Sequence, residues 1–284
     1  MRNFKIVVAA FLFLIVTGIH CQIDRSRAPI PAKAPPINIG EPQKFQLENG
    51  LKVFLVEDHK LPSVAMNLTI DKDPHMESGH VGLASMMGDM MSAGTSTRSK
   101  AEIDEAIDFV GASLYTFSSG FYFSCLTKHL EYVTEIASDI LLNPAFPNEE
   151  LEKKRKRLLS NLKSIKTSPD AISSRVEKVL KYGEMHPYGQ IQKKSDIENI
   201  SIDLCIDYYK NFFKPDNGYL VIVGDISLPD AKALSNKYFS SWQSGEVPSN
   251  NFDLPKKPKG VKVSFVHKPG AVQSLIKIFY PVEF

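Results

Sequence analysis

The order of elements in this chain predicts an α+β fold: a largely antiparallel sheet with helices packed on one face. Three observations carry that expectation. Val64, Met66, Leu68 and Ile70 alternate with less apolar residues, the period of a half-buried strand. Leu83, Met86, Met87, Met90 and Met91 recur at helical spacing. Strand-like and helix-like runs then follow one another in an order that suits a sheet covered by helices.

Taken in order, strands are expected at about 44–56 and 63–71. A helix follows at about 80–92, stopped by Gly94. The next, at about 100–110, opens with Ser99 and Glu102 in the spacing of a capping box. Strands are expected at about 112–118 and 120–127, then helices at about 129–142, 148–167, 170–181 and 201–213. Asn148 is the expected cap of the 148–167 helix, with Glu149 and Glu150 in its first turn. A strand at about 218–224 and a helix at about 228–239, capped by Ser227, close the unit.

Outside that unit the composition changes. Residues 1–21 read as a secretory signal: Arg2 and Lys5 precede an apolar run from Ile6 to Val16 that is too short to span a bilayer comfortably. Lipidation at Cys21 is the less favoured reading, because His20 fits it poorly. The expected destination is the periplasm or the exterior, with no integral membrane span. Residues 22–41 carry Pro29, Pro31, Pro35 and Pro36 and read as a linker. The domain proper is 42–243, and 244–260 is a second linker rich in Ser, Asn, Pro and Lys. Beyond it the sequence repeats: Leu51-Lys-Val-Phe-Leu-Val56 parallels Val261-Lys-Val-Ser-Phe-Val266, and Met66, Leu68 and Ile70 parallel Ile276, Ile278 and Tyr280. Residues 261–284 therefore read as the first hairpin of a second, truncated domain.

Charge excludes one class of function. The formal net charge is +2; removal of Arg2 and Lys5 with a signal brings it to about zero, so nothing draws the chain to nucleic acid. The basic run Lys153–Arg157 lies in a helix with an apolar stripe of Leu151, Leu158, Leu159, Leu162 and Ile165, and reads as a solvated face. Cys125 and Cys205 do not make a disulfide framework and read as separate buried thiols.

One stretch carries chemistry by what it lacks. Gly82-Leu-Ala-Ser-Met-Met-Gly-Asp-Met-Met-Ser-Ala-Gly-Thr95 resembles the zinc-motif helix of M16 peptidases, the insulinase, pitrilysin and mitochondrial-processing-peptidase family. That family's pattern is Gly-x-Ala-His-x-x-Glu-His-Met-x-x-x-Gly-Thr. Two His one helical turn apart share a metal, and the Glu between them activates its water. Gly82, Ala84, Met90, Gly94 and Thr95 match. Ser85 and Asp89 stand at the His positions and Gly88 at the Glu position. Further landmarks follow in family order: Phe45–Glu57, Asn143-Pro-Ala-Phe146, His186-Pro-Tyr-Gly189, Pro215-Asp-Asn217 and Leu220–Asp225. In the run Leu151–Leu159 the resemblance puts the third ligand position at Ser160. Ser is a poor ligand, Gly has no side chain, and one Asp does not hold a catalytic zinc.

The resemblance thus implies a non-catalytic relative without zinc or another cofactor, paired with an active zinc-bearing M16 subunit. It also implies that Ser113, Leu114, Tyr115, Thr116, Phe117 and Ser118 form the edge strand to which peptides add, by backbone groups that need no metal. The same run could equally be an internal strand. Two alternatives stand beside this reading: a zinc metallopeptidase using His75, Glu77 and His80, and a gene fragment without independent function.

Overall fold

A computed structural model describes residues 41–253, 255 and 259–280. The expected signal and nearly all of the Pro-rich linker lie outside the described residues. Six strands, β1 (Gln43–Gln46), β2 (Lys52–Glu57), β3 (Ser63–Ile70), β4 (Ser113–Phe117), β5 (Gly120–Leu126) and β6 (Gly218–Gly224), make one sheet in the order β1-β2-β6-β3-β5-β4. Every neighbouring pair is antiparallel except β2 and β6, which run parallel. Eight helices are described: α1 (Leu83–Met91), α2 (Lys100–Phe109), α3 (Leu130–Leu142), α4 (Asn148–Ile165), α5 (Pro169–Tyr182), α6 (Lys194–Asn199), α7 (Ile202–Phe212) and α8 (Leu228–Phe239).

Strand parity explains the layers. Val53, Leu55, Met66, Leu68, Phe121, Phe123, Leu220 and Ile222 point one way and are fully buried. Their alternates Val56, Val221, Val223 and Tyr115 point the other way and are 37–62% exposed. One face of the sheet therefore carries the helices and the other is open. Full burial of each large apolar side chain contributes about 1.5–3 kcal/mol. The four methionines Met86, Met87, Met90 and Met91 of α1 are fully buried or nearly so against this sheet.

The single run expected at 44–56 is two strands. Gly50 adopts φ 93°, a left-handed conformation that costs glycine little, and the chain reverses there. Asn49 fixes the turn by donating from Nδ2 to the carbonyls of Phe239 (2.7 Å), the last residue of α8, and Trp242 (3.1 Å) just past it. Two further corrections concern helix ends. Pro147, not Asn148, is the N-cap of α4, and no side chain caps it. The short α6 is not visible as a periodic run, because six residues hold under two turns. The Ser99 capping box forms as expected, with both reciprocal bonds. Cys125 and Cys205 are buried and free.

The hairpin expected at 261–280 is absent. No strand forms there, and Val261, Val263, Ile276 and Ile278 are 81–95% exposed. Two strands without a covering layer are marginal in water, and no such layer is present among the described residues. Polar contacts instead lay this segment on α5: Lys277 Nζ donates to Ser174 Oγ (2.9 Å) and pairs with Glu177 (2.8 Å).

Candidate functional site

The start of α1 is held from two sides. Glu77 accepts from the backbone N–H groups of Gly82 and Ala84, each at 2.7 Å, satisfying two otherwise orphan donors and placing a negative charge at the helix N-terminus. The 190–192 segment supplies the second anchor: Gln192 Nε2 donates to the Val81 carbonyl (2.8 Å), and Gln190 Oε1 accepts from the Glu77 N–H (2.9 Å). This fixes where Ser85, Gly88 and Asp89 project.

The structure treats these three positions differently. Ser85 is exposed. Asp89 faces α4, with its carboxylate 3.4 Å from Arg157 and 4.0 Å from Lys154, so its charge is already matched. Gly88 is buried under β4. A Cβ there would lie 2.3 Å from the Phe117 carbonyl carbon, 2.5 Å from the Ser118 nitrogen and 2.6 Å from the Phe117 oxygen. No side chain can occupy position 88 while α1 and β4 keep this contact. One turn on, Thr116 Oγ1 donates to Ser92 Oγ (3.0 Å), joining the end of α1 to the same strand.

Ser160 is not brought to the group. It is exposed, and the period of α4 turns it about 120° from Lys154 and about 160° from Leu158, which face α1. Asn161 falls on their side instead. The alternative ligand set does not assemble either. Glu77 is committed to the start of α1. His75 stacks on Phe212 (ring centroids 4.7 Å) and meets the Tyr208 ring at a tilt (5.3 Å), and its Nε2 is buried without a partner among the described residues. Among the described residues no group of three or more His, Cys, Asp and Glu side chains is arranged to hold a metal.

β4 is the outermost strand at its end of the sheet. Ser113–Phe117 belong to it, and Ser118 lies in the turn to β5. The hairpin closes on the Phe117–Gly120 pair. In such a two-residue hairpin alternate residues bond inward, leaving the N–H and C=O of Leu114 and Thr116 for the open side.

Two cavities flank α1. The larger, about 510 Å³, lies at the end of β4 and is lined by Lys72, His75, Ser118, Tyr188, Tyr208 and others. Lys72 was not singled out from sequence, because a lysine between Asp71 and Asp73 reads as a solvated loop residue. Its Nζ donates to the Ser118 carbonyl (2.7 Å) and to Tyr208 Oη (2.6 Å), with the Tyr208 ring centroid at 4.7 Å. Burial brings its pKa from 10.5 down to about 8, against the opposing pull of Glu77. Burial likewise pushes the Tyr208 hydroxyl upward. The smaller cavity, about 290 Å³, sits beside Ser85, with Arg175 and Lys178 of α5 on its wall.

Comparison with known proteins gives a consistent result. The family model for insulinase, peptidase family M16, matches residues 52–184, and the model for the peptidase M16 inactive domain matches 199–282. The chain is 24% identical over 209 residues to the uncharacterized zinc protease YmxG of Bacillus subtilis, covering 71% of this chain and 51% of that one. It is 25% identical over 241 residues to the mitochondrial-processing peptidase subunit beta of Bos taurus, covering 80% and 48%. The chain thus spans about half the length of the curated relatives it matches. Among solved structures, a peptidase M16 inactive domain from Pseudomonas fluorescens superimposes with a TM-score of 0.70 at 20% identity, over 77% of this chain and 55% of that one. The periplasmic protease PqqL from Escherichia coli gives 0.67 at 18% identity, over 79% and 26%. Among the described residues no helix is long and apolar enough to cross a membrane.

Proposed function

Because this chain belongs to peptidase family M16, we propose that it is a non-catalytic member that binds peptides as an added strand on β4 and works beside an active, zinc-bearing M16 protein. The observation that carries the reading is the closure of position 88. A general base there would have to occupy the space that the Phe117–Ser118 backbone fills. The charge pattern supports it, since the carboxylate of Asp89 is spent on Arg157 and Lys154. Zinc is accordingly no part of the proposed function. The free edge of β4 offers Leu114 and Thr116 backbone groups to an extended peptide, and this needs no metal. Export is part of the proposal and rests on the charged start and apolar run of residues 1–21.

The test combines metal, activity and binding. Elemental analysis after dialysis is expected to find well under one zinc per chain, and unstructured peptides are expected to stay intact. A labelled unstructured peptide is expected to bind, and Thr116→Pro, which removes an outward N–H without touching the β5 ladder, is expected to weaken that binding. Chelator-sensitive hydrolysis, or a zinc equivalent released only by chelator, would defeat the non-catalytic reading.

A further inference from the structure

We infer that the cavity beside Ser85 is a carboxylate-binding subsite for the peptide carried on β4. The inference rests on the strand-addition reading and goes beyond it by naming what the bound peptide must carry. The wall of this cavity is cationic. Arg175 and Lys178 lie three residues apart on α5, on one helix face, and both line it with Ser85, Gln190 and Gln192. Arg175 donates one Nη to the Gln192 carbonyl (2.8 Å), which orients the guanidinium. Among the described residues neither Arg175 nor Lys178 pairs with a carboxylate.

No acidic side chain lines the cavity. Three acids on the adjoining segments are already engaged. Glu77 caps the amides of Gly82 and Ala84, and Asp89 is matched by Arg157 and Lys154. Glu177, beside Lys178 in sequence, pairs with Lys181 and Lys277. What remains is a guanidinium fork, an ammonium and the Ser85 hydroxyl around one recess. This set repels a divalent cation and suits a carboxylate, which a guanidinium can receive with two parallel hydrogen bonds.

Position relates the recess to the strand. Ser85 and Gly88 are three residues apart on α1, so the recess lies about 5 Å along the helix from the point where β4 touches it. One side chain of a strand added to β4, or its terminal carboxylate, spans that distance.

Fluorescence anisotropy on the full chain tests this with an unstructured labelled peptide, its Glu→Gln counterpart, and both again with an amidated C-terminus. The Glu peptide is expected to bind about tenfold more tightly than the Gln peptide at low salt, and that preference is expected to shrink as salt rises. If the terminal carboxylate is the ligand, the Glu and Gln peptides bind alike and amidation weakens both about tenfold; either result supports the subsite. Arg175→Gln with Lys178→Gln is expected to bring the ratio to about one while leaving the amidated Gln peptide's affinity unchanged, and Lys178→Gln alone to give an intermediate ratio in a chain whose circular dichroism is unaltered. Equal affinities for all four peptides, each weakened by Thr116→Pro, would overturn the subsite and leave strand addition standing. Binding that ignores both Thr116→Pro and the α5 substitutions would overturn the two together.

Discussion

Gly88→Ala tests whether the α1–β4 contact is the reason position 88 is empty. Two effects oppose each other there. Alanine is the better helix former by about 1 kcal/mol, and Gly88 has ordinary helical geometry that alanine adopts freely. Against this, the new Cβ would lie 2.3–2.6 Å from three backbone atoms of Phe117 and Ser118. Ordinary separations are about 3.5 Å or more, so α1 and β4 must part by roughly 1 Å. Backbone cannot rotate aside as a side chain does. β4 is held by its β5 ladder, and α1 by the Glu77 cap at one end and Ser92–Thr116 at the other. Overpacking of a tight interior costs about 1–3 kcal/mol, and an immovable neighbour places this case at the upper end, so the net loss is about 2 kcal/mol. With urea m-values of about 1–3 kcal/mol per molar, the midpoint falls by about 1 M. A midpoint equal to or above that of the unaltered protein would show that the contact yields, and the closure argument would fall with it. By the same reasoning Ser85→His with Gly88→Glu and Asp89→His is expected to unfold the α1–β4 contact before it can hold zinc.

Other predictions follow from buried charge and from the exposed segment. Lys72 titrates near pH 8 in the folded chain and near 10.5 unfolded, so between those values the unfolded state holds more protons and stability due to this residue rises with pH. Burial of Cys125 and Cys205 pushes both thiols up to about 11, which acts in the opposite sense above pH 9; the stability difference between the protein and Lys72→Met isolates the lysine and is expected to shift toward the protein by about 2 kcal/mol from roughly pH 7.5 to 10. A difference that stays flat would contradict the burial of Lys72. Asp139 is a second case: burial alone would raise its pKa, but hydrogen bonds from Thr95 (2.6 Å), Thr97 (2.6 Å), Asn143 (3.0 Å) and Arg98 (3.1 Å) outweigh it and hold it low. Its contribution is present above the ordinary carboxyl range and lost as pH falls through the lowered value, so Asp139→Asn should destabilise by about 2 kcal/mol at neutral pH and much less in strong acid. Limited proteolysis should cut first between residues 244 and 280 and leave a core ending near Gln243, whereas protection of that segment would place it in the fold.

How much of this was legible depended on whether the signal was local. The alternation Val64, Met66, Leu68, Ile70 predicted β3 and its buried face, and Ser99 with Glu102 predicted the start of α2, because each rests on neighbours a few residues away. Among the described residues β4 is the outermost strand at its end of the sheet. Three things were not legible. The parallel pairing of β2 with β6 depends on residues far apart in sequence, Val53 with Leu220 and Leu55 with Ile222, whose patterns do not name their partners. The closure at Gly88 depends on β4 reaching α1, and a glycine in a helical run shows only that a side chain is missing. Lys72 looked solvated because its aromatic surroundings, Tyr208 and Phe212, come from α7.

The place of β6 has a consequence for how the chain reaches this state. It is a central strand, with β2 on one side and β3 on the other, yet it is the last strand to be made. In the finished sheet β6 separates β2 from β3, so the hairpin their closeness in sequence suggests is not a native pairing, and until residues 218–224 arrive neither strand has its β6 partner. The hairpins β1–β2 and β4–β5 can form early, but they remain on separate pieces of sheet. Joining them means closing a very long loop, and such non-local closure makes folding slow. The ribosome must therefore release most of the described chain before the sheet can exist, and the edges of β2 and β3 stay open to other chains for that whole interval.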